Sequence, residues 1–173
     1  MLYHNGACFL VFGVLGMVLF LSTVTNRVDK KGRVSVPAGF RTKLSEAGHQ
    51  SIVCYESLGD HSCIDGCSLD RMARLAESFD EMDPFNEERN AFAAHILGGS
   101  KELPIDGDGR IVLPGEFMEF ANIDGEAAFV GLGQTFQIWN PEQFASYRAG
   151  ARKLARASRG GIPWSGRGQG GGQ

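Results

Sequence analysis

One stretch of this chain occurs twice. Val28-Asp29-Lys30-Lys31-Gly32-Arg33-Val34-Ser35-Val36-Pro37-Ala38-Gly39-Phe40 returns 77 positions later as Ile105-Asp106-Gly107-Asp108-Gly109-Arg110-Ile111-Val112-Leu113-Pro114-Gly115-Glu116-Phe117. Asp, Gly, Arg, Pro and Phe are identical in register, and the apolar positions between them stay apolar. Farther on, Gly48 matches Gly125, Ile52 matches Phe129 and Val53 matches Val130 at the same offset. Such a duplicated unit limits the chain to folds assembled from two copies of one small supersecondary element.

Each copy reads as strand, tight turn, strand and short helix. Lys31-Gly32 and Asp108-Gly109 are turn dipeptides whose glycine supplies the positive φ of a two-residue hairpin. Val34 and Val36, like Ile111 and Leu113, alternate with period two. Pro37 and Pro114 stop that strand and open a helix at its first position. One turn apart, Phe40 and Leu44, or Phe117 and Ala121, face the core, and Gly48 or Gly125 closes the segment. Asp29 and Asp106 stand where a carboxylate can accept turn amide protons or hold the arginine four positions later. Ahead of the first copy, Phe20, Val24 and Val28 fall on one side of an extended chain.

Outside the repeats, Leu69, Met72, Leu75, Ala76 and Phe79 form an apolar stripe at helical spacing. Asp83-Pro84 and Asn140-Pro141 each read as an N-cap followed by Pro at the first helical position. They open segments carrying Phe85, Phe92 and Ile96, and Phe144, Tyr147, Ala151 and Leu154; such stripes belong to the core or to an interface between chains. The expected organisation is an N-terminal extension over 1–16, a first repeat over 18–66, a helical connection over 67–98, a second repeat over 99–143, a helix over 144–158 and a flexible Gly/Arg tail over 159–173. The uncharged run Ala7 to Leu21 is 15 residues, against about 20 for a spanning helix, and it lacks a signal peptide's basic start. Residues before Met17 are expected to be an over-extended start, and no membrane partner is expected.

Charge is distributed unevenly. The net value of -3 speaks against a nucleic-acid partner only as an average. Before Glu46, Arg27, Lys30, Lys31, Arg33, Arg41 and Lys43 face one acid, Asp29, a balance of +5. From Leu44 to Glu142 five basic residues meet 19 acids, a balance of -14, and Arg148, Arg152, Lys153, Arg156, Arg159 and Arg167 close the chain at +6. Cys8, Cys54, Cys63 and Cys67 show no disulfide framework and read as reduced thiols. His61, Cys63 and Cys67, with Cys54 upstream, lack the paired spacing of a zinc site, so no metal is expected.

The duplicated D-x-x-G-R-[VI]-x-[VL]-P-x-x-F, with Phe20 leading into the first copy, Val130-Gly131, and Gln137-Ile138-Trp139 after the second, resembles the MraZ family of bacterial transcriptional regulators over about Val18 to Tyr147. A single copy would indicate only the broader AbrB/MazE-like class. The resemblance implies an α+β, mainly β fold: two tandem AbrB-like swapped-hairpin halves in an intrachain pseudo-dimeric double-split β-barrel, with peripheral helices. It also implies a ring-like homo-oligomer in the cytoplasm and nucleoid. That assembly would bind short direct repeats in its own operon promoter and regulate, most simply repress, the division and cell wall gene cluster. No cofactor and no enzymatic activity come with that family. Asp29 and Arg33, and Asp106 and Arg110, match its D-x-x-x-R motif.

The residues themselves favour the first copy. Arg33, flanked by Lys30 and Lys31, can set a fork of donors on guanine while the lysines meet phosphates, and a β-ribbon fits the major groove. In the second copy those lysine positions are Gly107 and Asp108, so that Asp106 and Asp108 repel phosphate unless Arg110 shields them. The candidate DNA-binding set is therefore Arg27, Asp29, Lys30, Lys31, Gly32, Arg33, Asp106, Gly109 and Arg110. Against this stands a purely structural role, each arginine holding its own aspartate to stiffen the turn. The basic residues from Arg148 onward either add phosphate contacts or merely solubilise a helix. An enzyme is disfavoured, since no nucleophile elbow, phosphate loop or metal motif is present and Asp106 to Arg110 fails as a calcium loop. An AbrB-like antitoxin is disfavoured by the duplication, and a protein-interaction module working through Leu69 to Phe79 is the remaining alternative.

Overall fold

A computed structural model describes residues 17–158; the expectations for the N-terminal extension and the Gly/Arg tail lie outside them. The chain runs β1 (Thr23–Arg27), β2 (Arg33–Ser35), α1 (Ala38–Glu46), β3 (Ser51–Glu56), β4 (Ile64–Cys67), α2 (Leu69–Asp80) and α3 (Glu87–Phe92), the last continued by one π-helical turn, Ala93–Leu97. It then repeats the opening pattern as β5 (Lys101–Pro104), β6 (Arg110–Val112), α4 (Gly115–Phe120), β7 (Glu126–Gly131) and β8 (Thr135–Trp139), and ends in α5 (Pro141–Ala157). The architecture is α+β and mainly β.

The two copies are laced together. The large antiparallel sheet has the order β1-β7-β8-β4-β3-β5, so the leading strand of each copy lies against the other copy. Thr23 to Arg27 of β1 pair with Val130 to Glu126 of β7, and β5 pairs in the same way with β3. A second, two-stranded sheet joins β2 to β6, where the repeat counterparts Val34 and Ile111 face one another. No closed barrel forms among the described residues. β1 and β5 remain the edges of the large sheet, and β2 and β6 are three-residue strands that Pro37 and Pro114 prevent from extending.

One core serves both copies. Phe40 and Leu44 of α1 and Phe117 and Ala121 at the end of α4 are buried with Phe20, Phe129 and Phe136. The rings of Phe20, Phe40 and Phe136 meet at 4.8 to 5.5 Å in tilted and edge-on contacts, geometries that add to the burial itself. Phe20 sits ahead of β1 on an isolated bridge to Gly133, and Val24 is only half-buried. Above one face, Met72 and Phe79 of α2 pack with Val53, Cys67 and Ile96, while Leu69, at the head of the expected stripe, is exposed. Ser68 caps α2 by accepting the Arg71 amide proton at 3.3 Å.

Several local expectations are corrected. Each turn is a three-residue loop rather than a two-residue one: Gly32 N–H donates to Asp29 O at 2.9 Å and Asp29 N–H to Arg33 O at 3.0 Å. That pattern, with Gly32 at φ +77°, puts the glycine at the left-handed position that closes a longer hairpin loop. The hairpin arms then part after the single bridge Val28–Val34, because β2 finds its ladder on β6. Pro37 and Pro114 occupy the capping position itself, one residue before helices that begin at Ala38 and Gly115. In the second copy the left-handed residue that closes the helix is Asn122, and Gly125, also left-handed, stands three positions later, just before β7. Asp83-Pro84 does not open a helix: the Asp83 carboxylate accepts the Phe85 amide proton in a local turn, and Asn86 caps α3 instead. Phe85, expected on a packed stripe, is 90% exposed. Asn140-Pro141 does cap α5, with Asn140 Oδ1 accepting the Glu142 and Gln143 amide protons. Phe144 and Tyr147 of that helix lie against Trp139, but Leu154 is exposed and no residue of the helix is fully buried.

Candidate nucleic-acid interface

The short sheet brings the two D-x-x-x-R turns to one place. In its register Arg33 faces Val112 and Ser35 faces Arg110. Val36 N–H donates to Gly109 O at 3.0 Å and Leu113 N–H to Gly32 O at 2.9 Å, so each turn is tied to the strand of the other copy. Arg27, Asp29, Arg33 and Arg110 line a common depression of about 370 Å³. Three cations and one carboxylate thus converge from positions up to 83 residues apart.

The first turn is organised by Asp29. Its Oδ1 accepts the amide protons of Lys31 at 2.8 Å and Arg33 at 3.0 Å, and its Oδ2 accepts from Arg33 Nε at 2.7 Å. The Arg33 amide and then its guanidinium hold the Asp29 carboxyl below the ordinary carboxylate range. The structural alternative for Arg33 is therefore realised at Nε, while its two terminal nitrogens make no hydrogen bond among the described residues. The guanidinium is aimed by one edge and left with donors on the other, the arrangement suited to a planar, two-pronged acceptor. Lys30 and Lys31 are exposed on either side of the tip.

At the second turn the same backbone holds with different charge. Asp106 Oδ1 accepts the amide protons of Asp108 and Arg110, both at 2.9 Å, and the Arg110 amide is the main cause of its lowered pKa. Arg110 does not return to Asp106; its Nη1 lies 3.7 Å from Asp108 Oδ2. The shielding expected of Arg110 thus falls on the carboxylate at the tip, loosely and at the surface, where such a pair contributes little stability.

Sequence reasoning passed over a residue of this region. Arg41, on α1, reaches across the exchange to the second turn: its Nε donates to Val36 O at 3.1 Å and its guanidinium lies against Gly109. The corresponding residue of the second copy, Met118, lies beside Gly32. The offset of 77 aligns Arg41 with Met118 and so displays their difference, but only the crossed strands reveal which turn each one covers.

A family profile described as "MraZ protein, putative antitoxin-like" matches residues 96–159. The transcriptional regulator MraZ of Pelagibacter ubique (strain HTCC1062) is 46% identical over 146 residues, covering 84% of this chain and 94% of the relative. Its namesakes in Rickettsia bellii (strain OSU 85-389) and Rickettsia akari (strain Hartford) are 41% and 40% identical over 144 and 143 residues, each match covering 83% of this chain and 95% of the relative. This chain belongs to the MraZ family of transcriptional regulators. In this chain the duplicated turns differ in charge between the copies, Lys30-Lys31 against Gly107-Asp108, which makes them the place to look for unequal roles. Among the described residues, no three His, Cys, Asp or Glu side chains are grouped to hold a metal ion, and no helix is long and apolar enough to cross a membrane.

Proposed function

We propose that this protein regulates transcription by binding DNA through the paired turns of its short sheet, with the first turn as the main reading head. The observation that carries the reading is the convergence of Arg27, Arg33 and Arg110, with Lys30 and Lys31 alongside, on one exposed edge of a chain whose middle is acidic. Arg33, aimed by Asp29, offers its terminal nitrogens to guanine O6 and N7, and the lysines neutralise flanking phosphates. Arg110, loosely engaged with Asp108, contributes less. The acidic surface between Leu44 and Glu142 keeps the rest of the molecule off the duplex.

A pair of turns covers too little DNA for useful specificity, since a single module buries about 600 to 1,000 Å². The function therefore includes a homo-oligomeric ring that presents several first turns along short direct repeats in the promoter of its own operon. Effective concentration supplies affinity, and subunit spacing dictates repeat spacing. On this reading the protein is cytoplasmic, associated with the nucleoid, and represses a gene cluster for division and wall synthesis. The two repeats, 18–66 and 99–143, act as one DNA-binding unit, with 67–98 and 144–158 as peripheral helices.

A salt-titrated mobility shift on the promoter upstream of the protein's own gene tests this. Arg33→Ala should weaken specific binding by about ten- to a hundredfold, as expected for loss of one two-pronged base contact, and Arg110→Ala by less. Wild-type affinity in Arg33→Ala would remove the assigned reading head. Absence of any shift with the intact protein would leave the exposed Phe85 and α5 surfaces to a protein-interaction role.

A further inference from the structure

Charge on the two turns is exchanged with charge on the helices that cover them. The first turn carries Lys30 and Lys31 and is covered by the neutral Met118, whose Sδ lies 3.6 Å from where a Cβ on Gly32 would be. The second has Gly107 and Asp108 at those positions and is covered by Arg41. Each turn thus has a cation beside it, in one case from its own tip and in the other from the first copy's helix. Arg41 forms no ion pair with a described carboxylate, although Asp106 and Asp108 belong to the turn it covers. Its Nε is fixed on Val36 O, and it borders a depression of about 420 Å³ with Ser45, Gln50, Asp106, Gly107 and Gly109.

We infer that Arg41 and the open Gly107 end of the second turn form a second, separate site for a phosphodiester group of the DNA backbone. This rests on the DNA-binding reading above and adds to it that the second turn is a backbone clamp rather than a second reading head. Gly107 has open space where a side chain would stand, so a phosphate oxygen can come close to the main chain there, and Arg41, packed on Gly109, supplies the positive charge that Asp108 removes. The Nε–Val36 bond holds the guanidinium in place before DNA arrives, which reduces the ordering cost of the contact.

The test uses the full chain and a fluorescein-labelled duplex of its own promoter, with affinity followed by anisotropy over a salt series. Because log K falls by about 0.9 per phosphate neutralised for each unit of log salt, Arg41→Gln should give a slope shallower by about one for each engaged copy. Gln retains a donor for Val36 O and discards only the charge. Arg41→Met, the residue that its repeat counterpart carries, should do the same, so that either neutral variant suffices if the other fails to fold. Arg41→Lys should retain the wild-type slope. A wild-type slope in a folded neutral variant, or a slope in Arg41→Lys as shallow as in Arg41→Gln, overturns this inference and leaves the reading head standing. If the wild-type chain does not bind the duplex at any salt concentration, the DNA-binding reading itself falls.

Discussion

Gly32 and Gly109 are the same residue of the repeat, yet replacing them with alanine should have unequal consequences. Both sit in left-handed backbone, at φ +77° and +75°, where a Cβ costs about 1 to 2 kcal/mol. The difference lies in what the new methyl group meets. At Gly32 it would lie 2.5 Å from the carbonyl oxygen of Leu113, against an ordinary contact of 3.4 to 4 Å. Backbone must move, and the group displaced belongs to the residue whose amide donates to Gly32 O at 2.9 Å. Losing that bond costs a further 0.5 to 1.5 kcal/mol or so, for a total of about 1.5 to 3.5 kcal/mol. At Gly109 the methyl group meets the Arg41 guanidinium, the end of a long side chain that can swing away without moving main chain, giving up only its half-buried Nε–Val36 O hydrogen bond, about 0.5 kcal/mol at the low end of that range. For a domain of this size each kcal/mol moves the melting temperature by about 2 to 4 °C. Gly32→Ala should therefore melt about 3 to 14 °C below wild type by circular dichroism, and Gly109→Ala less far, about 3 to 10 °C below. Equal melting temperatures for the two variants would refute the reasoning, because it depends on a rigid obstacle at one turn and a movable one at the other.

Other outcomes follow from the same geometry. Asp29→Ala should lower affinity for the specific promoter site more than for random DNA, since it releases Arg33 Nε and two turn amides without removing any cation; paired mobility shifts measure this. The lowered pKa values of Asp29 and Asp106 make their contribution to folding complete above the ordinary carboxylate pKa and lost as pH falls through their folded-state values. The wild-type melting temperature should accordingly fall less between pH 5 and 3 in the Asp29→Asn, Asp106→Asn double variant than in the parent. Ser68→Ala should cost about 1 kcal/mol, the usual value of an N-cap, read as a fall of about 2 to 4 °C in melting temperature. Burial pushes the Cys63 and Cys67 thiols up to about 11 and Cys54 still higher. Iodoacetamide at pH 8 should spare all three in the native protein and label them after unfolding, as peptide masses would show.

Much of this was legible in the sequence because the repeat combines turn chemistry with periodicity. Gly32, Gly109, Phe40, Phe117 and Val34 play the parts that their residue types dictate. The Asn140-Pro141 cap was readable for the same local reason. Asp83-Pro84 carried an identical signal and failed: its carboxylate accepts the Phe85 amide just as Asn140 accepts that of Glu142, but it takes no amide three residues on, and the helix is capped by Asn86 instead. The strand partners were beyond local reasoning. Val28, Val34 and Gly32 spell a hairpin, and only the competition between β2's own arm and β6 decides where its ladder forms. Arg41 was hidden for that reason: its role depends on which copy its helix covers, a property of topology and not of any window of residues.

The lacing of the two copies also bears on how the chain comes off the ribosome. β1 has no ladder until β7, about 100 residues later, has been made, which at 5 to 20 residues per second is about 5 to 20 s of translation. Over that interval the first copy carries an unpaired strand edge, open to the β7 of any finished neighbour. Two nascent chains from one message could satisfy each other's edges as well as their own. The order of synthesis therefore makes strand exchange between molecules the characteristic misassembly of this fold, favoured when translating ribosomes are crowded.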